Sequence, residues 1–378
     1  MSSRVAQIKD AARHLGFEVV GIASVAPLLD DEAAFFNWCA AGFAADMHYM
    51  TRRPELHVNP QQLVPSALSI ITLAVNYYVA APQFDHENRY GRVARYAWGL
   101  DYHDVVKARL HQLIAEIQRL EGREIQARAF VDAVPLLERA VAACAGLGFT
   151  GKNTNLLQPR NGSWFFLAEI LLALELPAEE KHIAISCGSC HRCLNACPTD
   201  AFAAAYQLDS RRCISYLTIE NKGAIPPQLR AGMGEWLFGC DVCQEVCPFN
   251  RFSADTHWRE FHPQFGAGQK LDLVDLLAIK TDEEFRARFK GTPLTRPKRR
   301  GLLRNAAVVA ANIECTAAVP VLLERVMHDP EPLIRSHALW ALSRLAPEGA
   351  RRFVEQALSD IDPIVQEEAI HLRNIGSK

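Results

Sequence analysis

Eight of the eleven cysteines fall between Cys187 and Cys247, in two runs that each close on Cys-Pro. The first is Cys187-x2-Cys190-x2-Cys193-x3-Cys197-Pro198; the second is Cys213, then Cys240-x2-Cys243-x3-Cys247-Pro248. Thiols at this density constrain the fold strongly, because the chain has to bend around whatever they bind. The C-x2-C-x2-C-x3-C-P run is an iron–sulfur signature, in which the fourth cysteine ligates the other cluster of a pair. Three cysteines wrap one cubane from a tight loop. Proline, with no N–H and a fixed φ, then turns the chain away. The spacing predicts two 4Fe–4S clusters, one on Cys187, Cys190, Cys193 and Cys247, the other on Cys197, Cys213, Cys240 and Cys243.

The second run departs from the simple pattern, since Cys213 stands 27 positions before Cys240. An insertion separates them, and none of Cys39, Cys144 or Cys315 has the spacing to replace Cys213. Zinc is the first rival, but zinc prefers four-ligand sets built from paired C-x2-C units. Disulfides are the second, and they belong to exported chains. The first residues, MSSRVAQIKDAARHLGFEVVGIA, show no signal sequence or twin-arginine pair and read as a helix followed by a strand. No apolar run reaches the roughly 18 residues of a membrane span. The expectation is a cytoplasmic protein with no membrane contact, and a monomer.

At 378 residues the chain suggests two or three domains. Residues 1–180 alternate strand and helix signals and read as an α/β domain. Strands are expected at 17–22, 67–79 and 125–131, the last ending at Asp132. Helical periodicity covers 104–121, and Pro135 opens a further helix through Glu138 and Arg139. Residues 181–255 read as a ferredoxin-like two-cluster domain with a helical insertion at 210–239. Residues 256–305 read as a linker. The tail repeats with a 31-residue offset: Asp329, Pro332 and Ala338 match Asp360, Pro363 and Ala369, and Ala307 lies one period upstream. Helix pairs at this period are HEAT-like, and 306–378 is assigned to them.

Between Lys290 and Arg304 stand six positive charges and no acid, in a chain of net charge −2. Such a segment contacts phosphates, unless it is simply a solvated loop. Two clusters also need somewhere to send electrons. No G-x-G-x-x-G follows a strand and no P-loop is present, which argues against a Rossmann-bound nicotinamide or flavin. Cobalamin suits low-potential clusters. Its axial-histidine motif D-x-H-x-x-G is incomplete at Asp101-Tyr-His103, where the glycine is missing, so His103 is a poor axial ligand.

Five strings then resemble one family. They are Ala94-Arg-Tyr-Ala-Trp-Gly-Leu-Asp101-Tyr102-His103, Phe130-Val-Asp132-Ala-Val-Pro-Leu-Leu-Glu138-Arg139-Ala, Gly146-Leu-Gly-Phe-Thr-Gly-Lys152-Asn153, Arg212-Cys213-Ile-Ser215-Tyr-Leu-Thr218 and Leu237-Phe-Gly239-Cys240-Asp241. Together they look like the epoxyqueuosine reductases. The resemblance implies a nitroreductase-like α/β cobalamin-binding domain, as in reductive dehalogenases, joined to the two-cluster domain and all-α HEAT-like repeats. It implies an oxidoreductase that reduces epoxyqueuosine to queuosine at the wobble position of tRNAs with GUN anticodons. The reductant would be base-off cob(I)alamin fed by the two clusters and by an external low-potential electron donor.

Carried over residue by residue, Asp132 matches the proton donor. The cobalamin pocket maps to His57, Asp132, Arg139, Lys152, Asn153, Leu156 and Ser215. The tRNA contacts map to Arg296, Lys298, Arg299, Arg300 and Arg304. Some members carry a cysteine where this chain has Ala94, so a mechanism needing that thiol is excluded here. The rival functions are a reductive dehalogenase, which would be exported and need no repeats, and a plain electron carrier, which would leave the α/β half without a task. Asp132 itself has a bland alternative as a helix cap.

Overall fold

Strand Phe165–Leu172 (FFLAEILL) is apolar on both faces, which marks it for the middle of a sheet covered on each side. It pairs with Ser69–Asn76 on one edge and Ala127–Phe130 on the other, and Val19–Ala23 completes the order. All three pairings are antiparallel. The computed structural model describes residues 3–81, 88–179 and 183–376. The chain divides into two units: Met1–Ala80, Leu100–Arg211 and Val242–His262 form the first, and Ala81–Gly99, Arg212–Asp241 and Pro263–Lys378 the second.

In the first unit, side-chain alternation sends Phe165, Leu167, Glu169 and Leu171 to one face of the sheet and Phe166, Ala168, Ile170 and Leu172 to the other. Helix Tyr102–Glu121 packs on the second face, burying Val106, Leu110, Leu113 and Ile117. Asp101 caps it by accepting from the His103 N–H at 3.0 Å, and Gly122 ends it at φ 63°. The short helix Glu138–Cys144 covers the first face, where Ala140 and Val141 join Ile70, Ala74 and Leu171 in one core. The helix expected from Pro135 begins only at Glu138, because Asp132 holds a left-handed φ of 49° and residues 134–137 turn before the helix can start.

In the second unit, strand Tyr90–Val93 pairs parallel with Trp236–Phe238 and antiparallel with Lys270–Asp272. Residues 81–99 therefore leave the α/β unit to which the sequence reading assigned them. Cys213 and Cys240 belong to this second unit, while the other six clustered cysteines belong to the first. The segment read as a linker is folded: helices Leu273–Leu277 and Asp282–Phe289 bury Leu273, Leu276, Phe285 and Phe289. The 180/181 boundary falls on residues outside those described.

The tail is a stack of helices. Lys298–Asn312 packs on Pro332–Leu345, which packs on Pro363–Gly376. The repeat-related Ala307, Ala338 and Ala369 are all fully buried, since only a small side chain fits where the helices approach. The helical repeat begins at Lys298, so the basic segment lies partly inside it. Among the described residues no helix is long and apolar enough to cross a membrane.

Candidate active site

The first ring of thiols assembles within the first unit. Cys187, Cys190, Cys193 and Cys247 line a cavity of about 230 Å³, together with Asn153, Leu157 and Phe249. Cys247 arrives from 54 positions beyond Cys193, as the interleaved spacing required. Burial is the main cause that raises the Cys193 and Cys247 thiols. Neighbouring thiolates add to it, with Cys187 acting on both, Cys247 on Cys193 and Cys190 on Cys247. Four such thiols around one cavity suit a cationic iron–sulfur core, which relieves their mutual repulsion. Among the described residues no three His, Cys, Asp or Glu side chains converge tightly enough to hold a single ion.

Donors reach the sulfurs from the α/β unit. The Lys152 N–H points at Cys187 Sγ at 3.4 Å, and the Ala201 N–H at Cys197 Sγ at 3.3 Å. The buried Lys152 ammonium donates to the carbonyls of Gly188 at 2.7 Å and Cys190 at 3.0 Å. The Asn153 amide donates to the Cys243 carbonyl at 3.3 Å. The side chains of Lys152 and Asn153 thus bond the cysteine loops. Leu156 is core, buried in the cluster that holds Ala140 and Leu147.

Asp132 occupies the turn after Ala127–Phe130, with its residue exposed. Tyr102 donates its hydroxyl to Asp132 Oδ2 at 2.6 Å, and the Asp132 N–H donates to Glu138 Oε1 at 2.8 Å. The Tyr102 ring stacks on Phe166 at 4.2 Å, which fixes the direction of its hydroxyl. A left-handed φ at a non-glycine residue persists only when its surroundings hold it, and aspartate tolerates it better than most. Asp132 does not cap helix Glu138–Cys144, whose N-cap position is Leu137 and makes no side-chain bond. The bland reading of Asp132 falls with that.

His57 is buried beside this turn, and its carbonyl accepts the Leu137 N–H at 3.1 Å. Burial lowers its basicity, so the ring is neutral near pH 7. Nε2 faces the Tyr49 carbonyl at 3.3 Å, while the buried Nδ1 has no partner among the described residues. An orphaned buried ring nitrogen is costly and marks a place for an outside group. Arg139 Nη1 donates to the Thr154 carbonyl at 2.6 Å on the same side of the turn. His103 bonds Asp101 Oδ1 at 2.7 Å.

In the second unit, Gly239 precedes Cys240 at φ 69°, and a Cβ there would come within 2.5 Å of Ala94 Cβ. Ser215 is half-buried on helix Ile214–Ile219. The basic segment separates into two kinds of residue. Arg299 is buried and ion-paired with Asp329, and Arg304 is fully buried, donating to the carbonyls of Leu217, Asn221 and Gly223. Neither reaches a phosphate, which corrects their assignment to tRNA contact. A guanidinium offers five donors, enough to satisfy several carbonyls at once, and sequence reading counted only its charge. Arg296 pairs with Glu220 at 2.9 Å and stays exposed, Lys298 is exposed, and Arg300 is half-buried, donating to the Lys222 carbonyl at 2.8 Å.

Sequence reasoning missed Tyr102, Glu138 and Glu169 as partners of the site. A lone glutamate in an eight-residue apolar strand was the available signal.

Three family models match: "4Fe-4S double cluster binding domain" over residues 186–250, "Epoxyqueuosine reductase QueG, DUF1730" over 58–133, and "HEAT repeats" over 297–372. The epoxyqueuosine reductase of Pseudomonas aeruginosa is 43% identical, over 90% of this chain and 95% of its own. A crystal structure of an epoxyqueuosine reductase with an epoxyqueuosine-modified tRNA-Tyr stem loop aligns with a TM-score of 0.86 at 30% identity, covering 98% of each chain. The Bacillus subtilis epoxyqueuosine reductase, solved with its catalytic aspartate loop swung out of the active site, aligns with a TM-score of 0.85 at 31% identity over 97% of each chain.

Proposed function

From the premise that this chain belongs to the epoxyqueuosine reductase family, we propose that Asp132 is the acid of its reaction. The protein is an oxidoreductase of queuosine biosynthesis that reduces epoxyqueuosine in tRNA to queuosine. Family membership displaces the dehalogenase and electron-carrier readings. The substrate is read as the wobble nucleotide of tRNAs with GUN anticodons.

Turning the epoxide into an alkene consumes two electrons and two protons and releases its oxygen as water. As the carbon–oxygen bonds break, negative charge gathers on that oxygen, and a positioned acid lowers the barrier by giving it a proton. The Asp132 carboxyl is exposed to an incoming base, and Tyr102 and Glu138 fix its direction. This arrangement is the observation that carries the reading. Tyr102 is a positioning residue, since it touches Asp132 and not the reacting atoms.

Cobalamin would be held beside this turn by the orphaned His57 Nδ1, with Arg139 as a further contact. When bound, cobalamin and the two 4Fe–4S clusters supply a strongly reducing cobalt centre and the single electrons that recharge it. Cys187, Cys190, Cys193 and Cys247 would hold one cluster, and Cys197, Cys213, Cys240 and Cys243 the other. The chain contributes N–H and ammonium groups near the sulfurs, which stabilise added negative charge. Arg296, Lys298 and Arg300 would meet tRNA phosphates.

The test is conversion of an epoxyqueuosine-containing tRNA stem loop with added cobalamin and a strong reductant. Asp132→Ala should keep cluster absorbance and lose turnover by roughly 10²- to 10⁴-fold. Unchanged turnover would remove Asp132 from the reaction.

A further inference from the structure

Glu169 is the only charged residue in strand Phe165–Leu172, and none of it is exposed to solvent. It stands between Thr72 and Phe130 in the sheet register, on the face covered by helix Glu138–Cys144. Oε1 accepts from the Thr72 hydroxyl at 3.4 Å, but Oε2 has no donor if every acid is ionised. Helix Glu138–Cys144 packs against this strand, and the Glu138 carboxyl is the acidic neighbour that acts on Glu169. Two carboxylates only accept, so this contact becomes a hydrogen bond when one of them is an acid. Glu138 in turn takes the Asp132 N–H at 2.8 Å.

We propose that Glu138 and Glu169 share one proton and act as positioning residues that latch the Asp132 turn in place. The inference rests on Asp132 being the acid of the reaction. Its physical content is charge counting. With the proton, the pair carries one negative charge and Glu138 holds the Asp132 N–H. Without it, two carboxylates crowd each other beside the Asp132 carboxyl, and the left-handed turn loses its support. The charged groups facing the pair are Asp132 and Arg139, and Thr72 is a neutral donor to Glu169. Burial first, then repulsion from its neighbours, raises Glu169 well above the ordinary carboxylate range, and burial and Asp132 push Glu138 up to about 8. Both directions agree with a proton retained at neutral pH.

A carboxyl whose folded value is raised binds its proton more tightly in the folded chain. Its stabilisation is complete below about 4.5 and is lost as pH rises toward about 8.

The experiment uses the full-length enzyme loaded with clusters and cobalamin, and the variants E138A, E138Q, E169Q and D132N. Infrared difference spectra of wild type at pH 7 should show a protonated-carboxyl band whose position changes in E138Q and in E169Q, because each carboxyl of the pair then faces an amide. Thermal melts should show stability falling from pH 4.5 to 8 in wild type, with that slope reduced in E169Q. E138A should lower kcat by roughly ten- to a hundredfold with little change in KM, because a misplaced acid slows the chemical step. E138Q, which can still accept the Asp132 N–H, should restore most of that loss and shift the high-pH limb of the rate profile upward. Absence of the infrared band, or wild-type turnover in E138A, overturns the latch. If E138A does not fold, the band and the melting slope decide alone. Retained turnover in D132N overturns instead the reading of Asp132 as the acid, and with it the purpose of the latch.

Discussion

Tyr102 and Asp132 meet at 2.6 Å, although one opens a twenty-residue helix and the other lies in the turn after an edge strand. The contact is short, and the tyrosine ring is held by a nearly parallel stack on Phe166, with 2° between the planes. The carboxyl is therefore aimed by the sheet itself, through the strand residue Phe166 and the first residue of the helix. Tyr102→Phe should keep the stack and lose the aim. The expected effect is about a tenfold loss in kcat, or about 1.4 kcal/mol, with cluster content unchanged. Single-turnover kinetics on the modified stem loop measure it, and wild-type rates would show that the bond has no part in positioning.

Lys152 gives a prediction about electron supply. Its ammonium lies against the carbonyls of Gly188 and Cys190, in the loop that carries Cys187, Cys190 and Cys193. A nearby positive charge favours the reduced, more negative cluster. Lys152→Met should shift the reduction potential of one cluster downward and leave the other in place. Potentiometric EPR resolves the two, and an unmoved pair of potentials would exclude the effect.

The basic segment should separate binding from folding. Removing Lys298 or Arg300 should weaken stem-loop affinity, and each should reduce the salt slope of binding by about 1. Arg299→Ala should instead cost on the order of 2 kcal/mol of stability, because it takes one of two cations from the buried Asp329 and leaves Arg325 as its remaining partner. Binding titrations at several salt concentrations, set beside denaturant melts, check both. A salt-slope change in Arg299→Ala at full folding would reverse the assignment.

His337 predicts acid sensitivity in the helical tail. It is fully buried, and its Nε2 accepts the Ile225 N–H at 3.1 Å, which only a neutral ring does. Burial, then Arg230 and Arg304, lower it well below the usual imidazole value. The unfolded chain therefore binds the extra proton first as pH falls below about 6.5, and stability declines there at up to about 1.4 kcal/mol per pH unit. His337→Gln should flatten that part of the curve. Equal slopes in both proteins would assign the acid loss to other groups.

Some of this was legible in the chain and some was not, for physical reasons. The strands around 19–23, 69–76 and 127–130 and helix Tyr102–Glu121 follow from local apolar periodicity, so they were read to within two or three residues. The repeat of Ala307, Ala338 and Ala369 was visible because stacking demands the same small residue at each turn. Residues 256–305 read as a linker because their elements are short and owe their order to packing of Leu273, Leu276, Phe285 and Phe289. The bonds of Lys152 and Asn153 to the cysteine loops were not legible, because the direction of a side chain is not a property of pattern.

The sequence by itself determined that eight thiols at cluster spacing, a repeat of 31 residues and an aspartate after a strand would occur in one chain. Spacing along a chain is a local quantity, and ligand loops and helical repeats are built from local quantities. Tertiary structure alone decided which charges are free. Arg299 and Arg304 look identical to Arg296 and Arg300 in a row of letters, yet two are buried among carbonyls and carboxylates and two reach the surface. It also brought Glu169 from a central strand to Glu138 and so to Asp132. Whether a carboxyl keeps its proton depends on what folding removes from around it, namely water, and on what folding sets beside it, here a second carboxyl.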